Sequence, residues 1–216
     1  MKKIIFTFLS ILASFTAYSQ SDLDFKGDRL MENMWFKTIG KENLADVGGS
    51  PYFTKDFVVS KISEYPDQVM TRYDIFNDNI EFLKNGKPFI LPKTENYKSI
   101  YLIAQGKKIE LINGTYYISI YEGFYKIYKK IKTKFQAFER AKNGYTEDKE
   151  AKFYNLPDSY FILINNNLVS IPKNKNNFAN LFPNKEKEII QEIKKNKINL
   201  DNEKDLKTLM QIIDQK

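Results

Sequence analysis

The chain has 216 residues, a formal net charge of +7, and neither cysteine nor histidine. We therefore expect no disulfide, no lipoprotein anchor and no thiol nucleophile, and histidine-based triads and most zinc and copper sites are excluded. The positive charge comes almost entirely from lysine, since Arg29, Arg72 and Arg140 are the only arginines. Nucleic-acid binders usually use arginine for bidentate contacts, so we expect no nucleic-acid partner.

The N-terminal residues have the three parts of a secretory signal peptide. Residues 1–3 are a basic start, residues 4–15 form an apolar run, and Ala17 and Ser19 are small residues at the positions that signal peptidase reads. We expect cleavage after Ser19, so that the mature chain begins at Gln20. The apolar run is shorter than the about 20 residues of a transmembrane helix. The sequence therefore predicts a periplasmic or secreted protein with no transmembrane segment in its mature chain.

Residues 20–50 mix polar and apolar positions and contain several chain breakers. A short helix is predicted at residues 28–35, with Leu30, Met34 and Trp35 on its inner side. Glycine and proline at positions 40, 48, 49 and 51 then interrupt regular structure. We expect this N-terminal segment to pack on the sheet that follows it.

From residue 56 the pattern changes to β-strands rich in β-branched and aromatic residues. Strands are predicted at residues 56–62, 68–76, 79–84, 87–91, 97–104, 107–112, 115–121, 124–138, 160–164 and 168–171. Turns of the hairpin type are predicted at Asn85-Gly86, Gln105-Gly106, Asn113-Gly114 and Glu122-Gly123. Such short turns join antiparallel strands, so we predict an antiparallel β-meander in the form of a curled sheet or half-barrel. Residues 143–152 are polar and are predicted to form a linker or loop.

The C-terminal part of the chain is predicted to be helical. Apolar residues recur at helical spacing in residues 178–182, 185–195 and 203–214, with Asn177, Asn184 and Asn202 as candidate N-caps. Strands followed by amphipathic helices are typical of the α+β class, in which the helices cover an edge or one face of the sheet. We therefore divide the chain into a signal peptide (1–19), the N-terminal segment (20–50) and one sheet-and-helix domain (51–216).

Residues 40–52 and 72–78 carry a resemblance to a known group of proteins. Together with the hairpin at Glu122-Gly123 and the lysine-rich residues 194–198, they resemble small secreted proteins of flavobacteria and related Bacteroidetes. The resemblance would cover most of the mature chain. It implies an envelope location and one continuous fold, and it brings no activity with it.

Three residues are candidates for a binding site. Arg72 and Asp74 alternate with Tyr73 and Ile75, so both should lie on the strand face away from the core. Arg72 could form a salt bridge or contact a ligand, and Asp74, two residues away on the same face, is the candidate partner. Tyr52 lies beside Pro51, just before the first strand, and is the third candidate. We predict no catalytic residue, no metal ligand and no cofactor.

Other features leave alternatives open. Lys126, Lys130, Lys132 and Lys134 would share one face of a strand at residues 124–138, either as a contact for an anionic surface or as a solvated strand edge. Glu81, Glu110 and Glu122 are carboxylates on predicted strands, as a glycoside hydrolase would need, or are solvent-facing residues. The 17 phenylalanines and 14 tyrosines could line an apolar cavity or pack the core.

These observations favour a non-catalytic secreted or periplasmic protein that binds a ligand or an envelope partner. The first alternative is a carrier of an apolar or lipid ligand in a cavity of the curled sheet. The second is a carboxylate-dependent hydrolase. Because no motif indicates a particular reaction, we expect the protein not to be an enzyme.

Overall fold

The computed structural model describes residues 47–141 and 147–215. The predicted signal peptide, the predicted helix at residues 28–35 and nearly all of the N-terminal segment lie outside the described residues. The strands are β1 (Val58–Ile62), β2 (Gln68–Asp74), β3 (Asn79–Lys84), β4 (Lys87–Ile90), β5 (Ser99–Leu102), β6 (Lys107–Ile112), β7 (Thr115–Glu122), β8 (Lys126–Lys130), β9 (Thr133–Gln136), β10 (Lys152–Asn155), β11 (Ser159–Ile164) and β12 (Asn167–Ser170). The helices are α1 (Lys175–Ala179), α2 (Glu186–Lys195) and α3 (Glu203–Asp214).

Ten of the strands form one open antiparallel sheet, which confirms the predicted α+β class and the antiparallel meander. The strand order is β12-β11-β8-β7-β6-β5-β1-β2-β3-β4. The sequential order is broken where β5 pairs with β1 instead of β4. As a result β1 lies between β5 and β2, in the interior of the sheet, although it is the first strand along the chain.

The hairpin turns follow from local chemistry. Asn85 and Gly86 have φ angles of 52° and 73°, and Asn113 and Gly114 have φ angles of 49° and 76°. Two successive residues with positive φ form the turn whose twist matches that of the flanking strands, and Asn-Gly is the pair that adopts it most readily. These two turns therefore set the β3–β4 and β6–β7 registers from sequence alone.

One face of the central strands is apolar and is covered by the C-terminal helices. Ile100, Ile109 and Ile118 are paired neighbours on β5, β6 and β7, and each is at most 1% exposed. Leu206 and Leu209 of α3 belong to the same buried cluster. The apolar face of the sheet, which could have lined a cavity, is thus buried at these strands, with α3 in contact with β7.

Glu203, the first residue of α3, connects that helix to the sheet. Its carboxylate accepts hydrogen bonds from Lys129 Nζ of β8 at 2.7 Å and from Lys107 Nζ of β6 at 3.3 Å. Lys207, one turn further along α3, donates to the same carboxylate at 3.0 Å. Lys107 and Lys129 therefore hold the start of the helix against β6 and β8.

One of the three predicted helix N-caps is confirmed. Asn202 caps α3 as predicted, because its side chain accepts from the backbone N–H groups of residues 204 and 205. Asn174, and not Asn177, caps α1. Asn184 adopts a φ of 74° before α2 and does not cap it. Within residues 47–141 and 147–215 no helix combines the length and apolar character needed to cross a membrane.

The prediction of one long strand at residues 124–138 is wrong. The chain leaves the main sheet after β8, and β9 pairs with β10 in a separate two-stranded sheet. Lys130 is only 7% exposed, whereas Lys132 and Lys134 are exposed. The prediction that four lysines share one strand face is therefore wrong too. The last residue of the predicted linker, Lys152, begins strand β10.

Candidate functional site

The segment before β1 joins the two sheets. On one side, the Phe53 N–H donates to the carbonyl of Tyr73 at 2.9 Å, and the Ile75 N–H donates to the carbonyl of Pro51 at 2.8 Å. On the other side, the Phe153 N–H of β10 donates to the carbonyl of Gly48 at 2.8 Å. The main chain from residue 48 to residue 53 thus spans the gap between the end of β2 and the small sheet.

Gly49 is required by this close approach of two main chains. Its φ is 75°, and a Cβ built there would lie 2.0 Å from the carbonyl oxygen of Phe153. Only glycine adopts this conformation without a steric cost and lets the backbone of β10 come so near. The position of Phe153 relative to residues 48–53 therefore depends on Gly49.

Arg72 makes a salt bridge, with Glu81 and not with Asp74. The guanidinium donates from Nε at 3.0 Å and from Nη2 at 2.5 Å to Oε2 of Glu81. Arg72 and Glu81 are direct partners in the β2–β3 register, where side chains are about 5 Å apart, closer than two residues on one strand. Nη1 also donates to the carbonyl oxygen of Lys55 at 3.2 Å.

Aromatic rings cover the guanidinium of Arg72. Its Cζ lies 3.6 Å from the ring centroid of Tyr52 and 4.3 Å from that of Phe57. Only 9% of the Arg72 surface remains exposed. Cation–π contacts of this kind are worth about 2 kcal/mol when the pair is desolvated. The strand face opposite the core is therefore also covered at Arg72, a feature that strand alternation did not predict.

Asp74 has a different role from the other two candidates. Its carboxylate accepts from the backbone N–H and the side-chain amide of Asn77, at 3.0 and 2.8 Å. These bonds stabilise the turn between β2 and β3. The main chains of Asp74 and Tyr52 pair in an isolated bridge. The structure thus brings Tyr52 and Arg72 together through their side chains, and Asp74 supports them through the backbone.

A pocket of about 320 Å³ opens beside Tyr52 and Arg72. Its walls come from the segment before β1, from β2 and from β10. They consist of Val47, Gly49, Ser50, Pro51, Tyr52, Lys55, Asp56, Arg72 and Phe153. Two of the three residues predicted from the sequence line this pocket, and Asp74 does not. Phe153 was missed because it follows a polar stretch, and Lys55 and Asp56 because nothing local distinguishes them from other charged residues.

Tyr52 can act in this pocket as a hydrogen-bond donor. Burial raises the pKa of its hydroxyl, and the negative charge of Glu81 raises it further, against the opposing charge of Arg72. The hydroxyl therefore keeps its proton throughout the physiological pH range. This property suits ligand binding and does not suit general-base catalysis.

The outer face of β6 and β7 holds two of the carboxylates considered for hydrolysis. Lys108 Nζ lies 2.6 Å from Glu110 and 3.1 Å from Glu122, and Ser119 donates to Glu122 at 3.0 Å. Burial raises the pKa of Glu122, but hydrogen bonds from Lys108 and Ser119 outweigh that effect and the pKa is lowered. A general acid for glycoside hydrolysis needs a raised pKa, so Glu122 lacks this feature. In the part of the chain that the structure describes, no cluster of histidine, cysteine or carboxylate side chains is arranged to hold a metal ion.

Comparison with known proteins yields no relative for this chain: no family model, no curated protein and no solved structure matches it. The resemblance to secreted flavobacterial proteins therefore stays a prediction.

Proposed function

We propose that this chain is an exported, non-catalytic protein that binds a small ligand in the pocket beside Tyr52 and Arg72. The observation that carries the proposal is the position of Arg72, which lines the pocket while 9% exposed and in contact with the ring of Tyr52. Burying a cation is unfavourable unless it is paired, and a paired cation beside aromatic walls is a combination that ligand sites use.

The size and composition of the pocket support this proposal. Its volume of about 320 Å³ falls at the lower end of the roughly 300–1,000 Å³ that ligand sites occupy. Pro51, Tyr52 and Phe153 supply apolar surface, and Lys55 and Asp56 supply polar groups. Apolar walls with a few placed polar groups are the usual composition of such sites.

Arg72 is held in place before any ligand arrives. Glu81 binds Nε and Nη2, and the carbonyl of Lys55 accepts from Nη1. Tyr52 is fixed in turn by its backbone N–H, which donates to Ser50 Oγ at 3.1 Å. A preformed wall lowers the entropy that binding would cost, so even a small ligand could bind measurably.

Binding is tested by two-dimensional ¹H–¹⁵N NMR on protein obtained by expressing the whole chain in a bacterium. The probes are phenol, benzamide, benzoate and benzylamine, which share one ring and differ in charge. We expect at least one probe to shift the signals of Gly49, Tyr52 and Phe153 in a saturable way. If no probe does so, the pocket is not a ligand site and the proposal fails.

Two tyrosine variants test whether the probes bind in the pocket or elsewhere on the surface. Tyr52→Ala removes a ring from the wall and should weaken probe binding about fivefold or more, the effect of losing about 1 kcal/mol. Tyr101→Ala removes an exposed tyrosine of β5 that is not part of the pocket wall, so it should leave probe binding unchanged. Equal losses in both variants would contradict a site at Tyr52.

The exported location is supported by the N-terminal pattern and is tested separately. In a bacterial host we expect the protein in the periplasm or the medium, with Gln20 as its first residue by mass spectrometry. Ala17→Arg should block cleavage, because signal peptidase reads a small residue there. Recovery of uncleaved wild-type protein from the cytoplasm would overturn this part of the proposal.

The alternatives gain no supporting observation. A lipid carrier would need an open apolar face, whereas α3 packs on β7 and the apolar residues of β5 and β6 belong to the same buried cluster as α3. A glycoside hydrolase would need a carboxylic acid with a raised pKa, and the pKa of Glu122 is lowered. An envelope protein as the binding partner stays a prediction, since the pocket favours a small ligand.

A further inference from the structure

We propose that the pocket binds a zwitterionic amino acid with an apolar or aromatic side chain. This inference rests on the proposed function and adds the chemical class of the ligand. It follows from three groups of the pocket that the described residues leave without a partner: one N–H of Arg72, one ammonium and one carboxylate.

The guanidinium of Arg72 has more N–H groups than its partners in the protein use. A guanidinium carries five N–H groups, and the hydrogen bonds to Glu81 and to the carbonyl of Lys55 use one each on Nε, Nη1 and Nη2. The side chain of Tyr52 takes a further hydrogen bond from the guanidinium, so one N–H group remains. Because Glu81 balances the charge of Arg72, this group adds a donor for a carboxylate oxygen without adding net positive charge.

Lys55 and Asp56 supply the two charges of the pocket that have no ion-pair partner among residues 47–141 and 147–215. Both side chains are exposed and line the pocket, and the described residues offer neither of them an ion-pair partner. A ligand with only a carboxylate would meet the like charge of Asp56. A ligand with only an ammonium would meet Lys55. A molecule that carries both groups pairs with both residues, and the α-amino acid is the smallest common molecule of that kind.

The remaining wall accommodates the body of such a ligand. Pro51, Tyr52 and Phe153 form its apolar part, and Phe153 is itself supported by the ring of Phe76, with centroids 5.4 Å apart. Rings attract one another in offset or edge-to-face geometry. An apolar or aromatic side chain therefore suits this wall better than a polar one.

Four probes that share a phenyl ring and differ in the charged groups they carry test this inference by NMR titration. They are L-phenylalanine, 3-phenylpropanoate, 2-phenylethylamine and 2-phenylethanol. We expect L-phenylalanine to bind most tightly, and each singly charged probe to bind about three- to fivefold more weakly, as for loss of a partly exposed ion pair.

Variants assign each charge of the ligand to a residue. Asp56→Asn should abolish the preference for L-phenylalanine over 3-phenylpropanoate. Lys55→Met should reduce the preference over 2-phenylethylamine without abolishing it, since the Arg72 donor still faces the carboxylate. Glu64→Gln and Lys61→Met are the matched controls, since both residues are exposed and lie outside the pocket, and both should keep the wild-type order of affinities.

The outcomes separate the two proposals. If 3-phenylpropanoate, 2-phenylethylamine or 2-phenylethanol shifts the pocket signals at as low a concentration as L-phenylalanine, the zwitterion inference fails and the binding pocket stands. If Asp56→Asn keeps the full preference for L-phenylalanine, the inference also fails. If none of these probes and none of the four simpler rings binds, both proposals are overturned.

Discussion

Lys130 of β8 donates a hydrogen bond to Asp78 at 2.5 Å, although four strands lie between β8 and β2 in the sheet. Asp78 belongs to the turn that follows β2. The contact is possible because the open sheet curls until the β2–β3 turn meets the end of β8. Lys130 also donates to the hydroxyl of Tyr73 and to the carbonyl of Tyr116, so one buried ammonium joins the two halves of the curl.

Asp78→Asn should destabilise the protein by about 3 kcal/mol, because it leaves the buried ammonium of Lys130 without a counter-charge. Urea unfolding followed by circular dichroism measures the loss. Asp201→Asn is the matched control: it breaks the 2.6 Å pair with Lys173, whose side chain is 75% exposed, and should cost about 0–1 kcal/mol. Equal losses in the two variants would contradict the importance of the buried pair.

Glu81→Leu should cost about 3–5 kcal/mol, since Arg72 would remain buried without its partner. The double variant Arg72→Met with Glu81→Leu removes both charges and should regain most of that stability. The difference between the single and the double variant in urea unfolding is the quantity to measure. A double variant as unstable as Glu81→Leu would show that packing, and not charge, accounts for the loss.

Glu203 should contribute to stability at neutral pH and lose that contribution in acid. Burial raises its pKa, but hydrogen bonds from Lys129 and Lys207 and the charges of Lys129 and Lys107 outweigh it, and the pKa falls to about 2. Since the folded-state pKa lies below the ordinary value of 4.5, the stabilisation is complete above about pH 4.5 and disappears as the pH falls through about 2.

Glu203→Gln tests this pH dependence. At pH 7 the variant should be less stable than the wild type by about 2–3 kcal/mol, allowing for partial exposure of the carboxylate. The difference should shrink below pH 4.5 and vanish near pH 2. A constant difference between pH 7 and pH 2 in urea unfolding would contradict the ionic role of Glu203.

Gly49→Ala should be more damaging than Gly86→Ala, although the two glycines have nearly the same φ, 75° and 73°. An added Cβ at Gly86 meets no atom within 4 Å, whereas at Gly49 it meets the carbonyl oxygen of Phe153 at 2.0 Å. We expect about 1 kcal/mol for the strained φ at Gly86 and at least about 2 kcal/mol more at Gly49. Thermal unfolding measures both, and equal losses would show that Phe153 moves freely.

Local signals predicted much of the fold and part of the candidate site. An Asn-Gly pair sets a hairpin turn through its own φ angles, and Asn202 caps α3 through its own side chain. Alternation along β2 placed Arg72 and Asp74 opposite Tyr73, whose ring is in the core. Each of these predictions needs only a few neighbouring residues, so the sequence carries the necessary information.

The sequence by itself determined most of the strands and turns, the α+β order and the absence of cysteine and histidine chemistry. Only the tertiary structure decided which distant residues meet: Glu81 with Arg72, Asp78 with Lys130, and Phe153 with Gly49. The physical reason is that strand order, curl and the departure of β9 from the sheet depend on packing summed over the whole domain. A charged residue looks the same in the sequence whether that packing leaves it in solvent, buries it in a pair or brings it to a pocket.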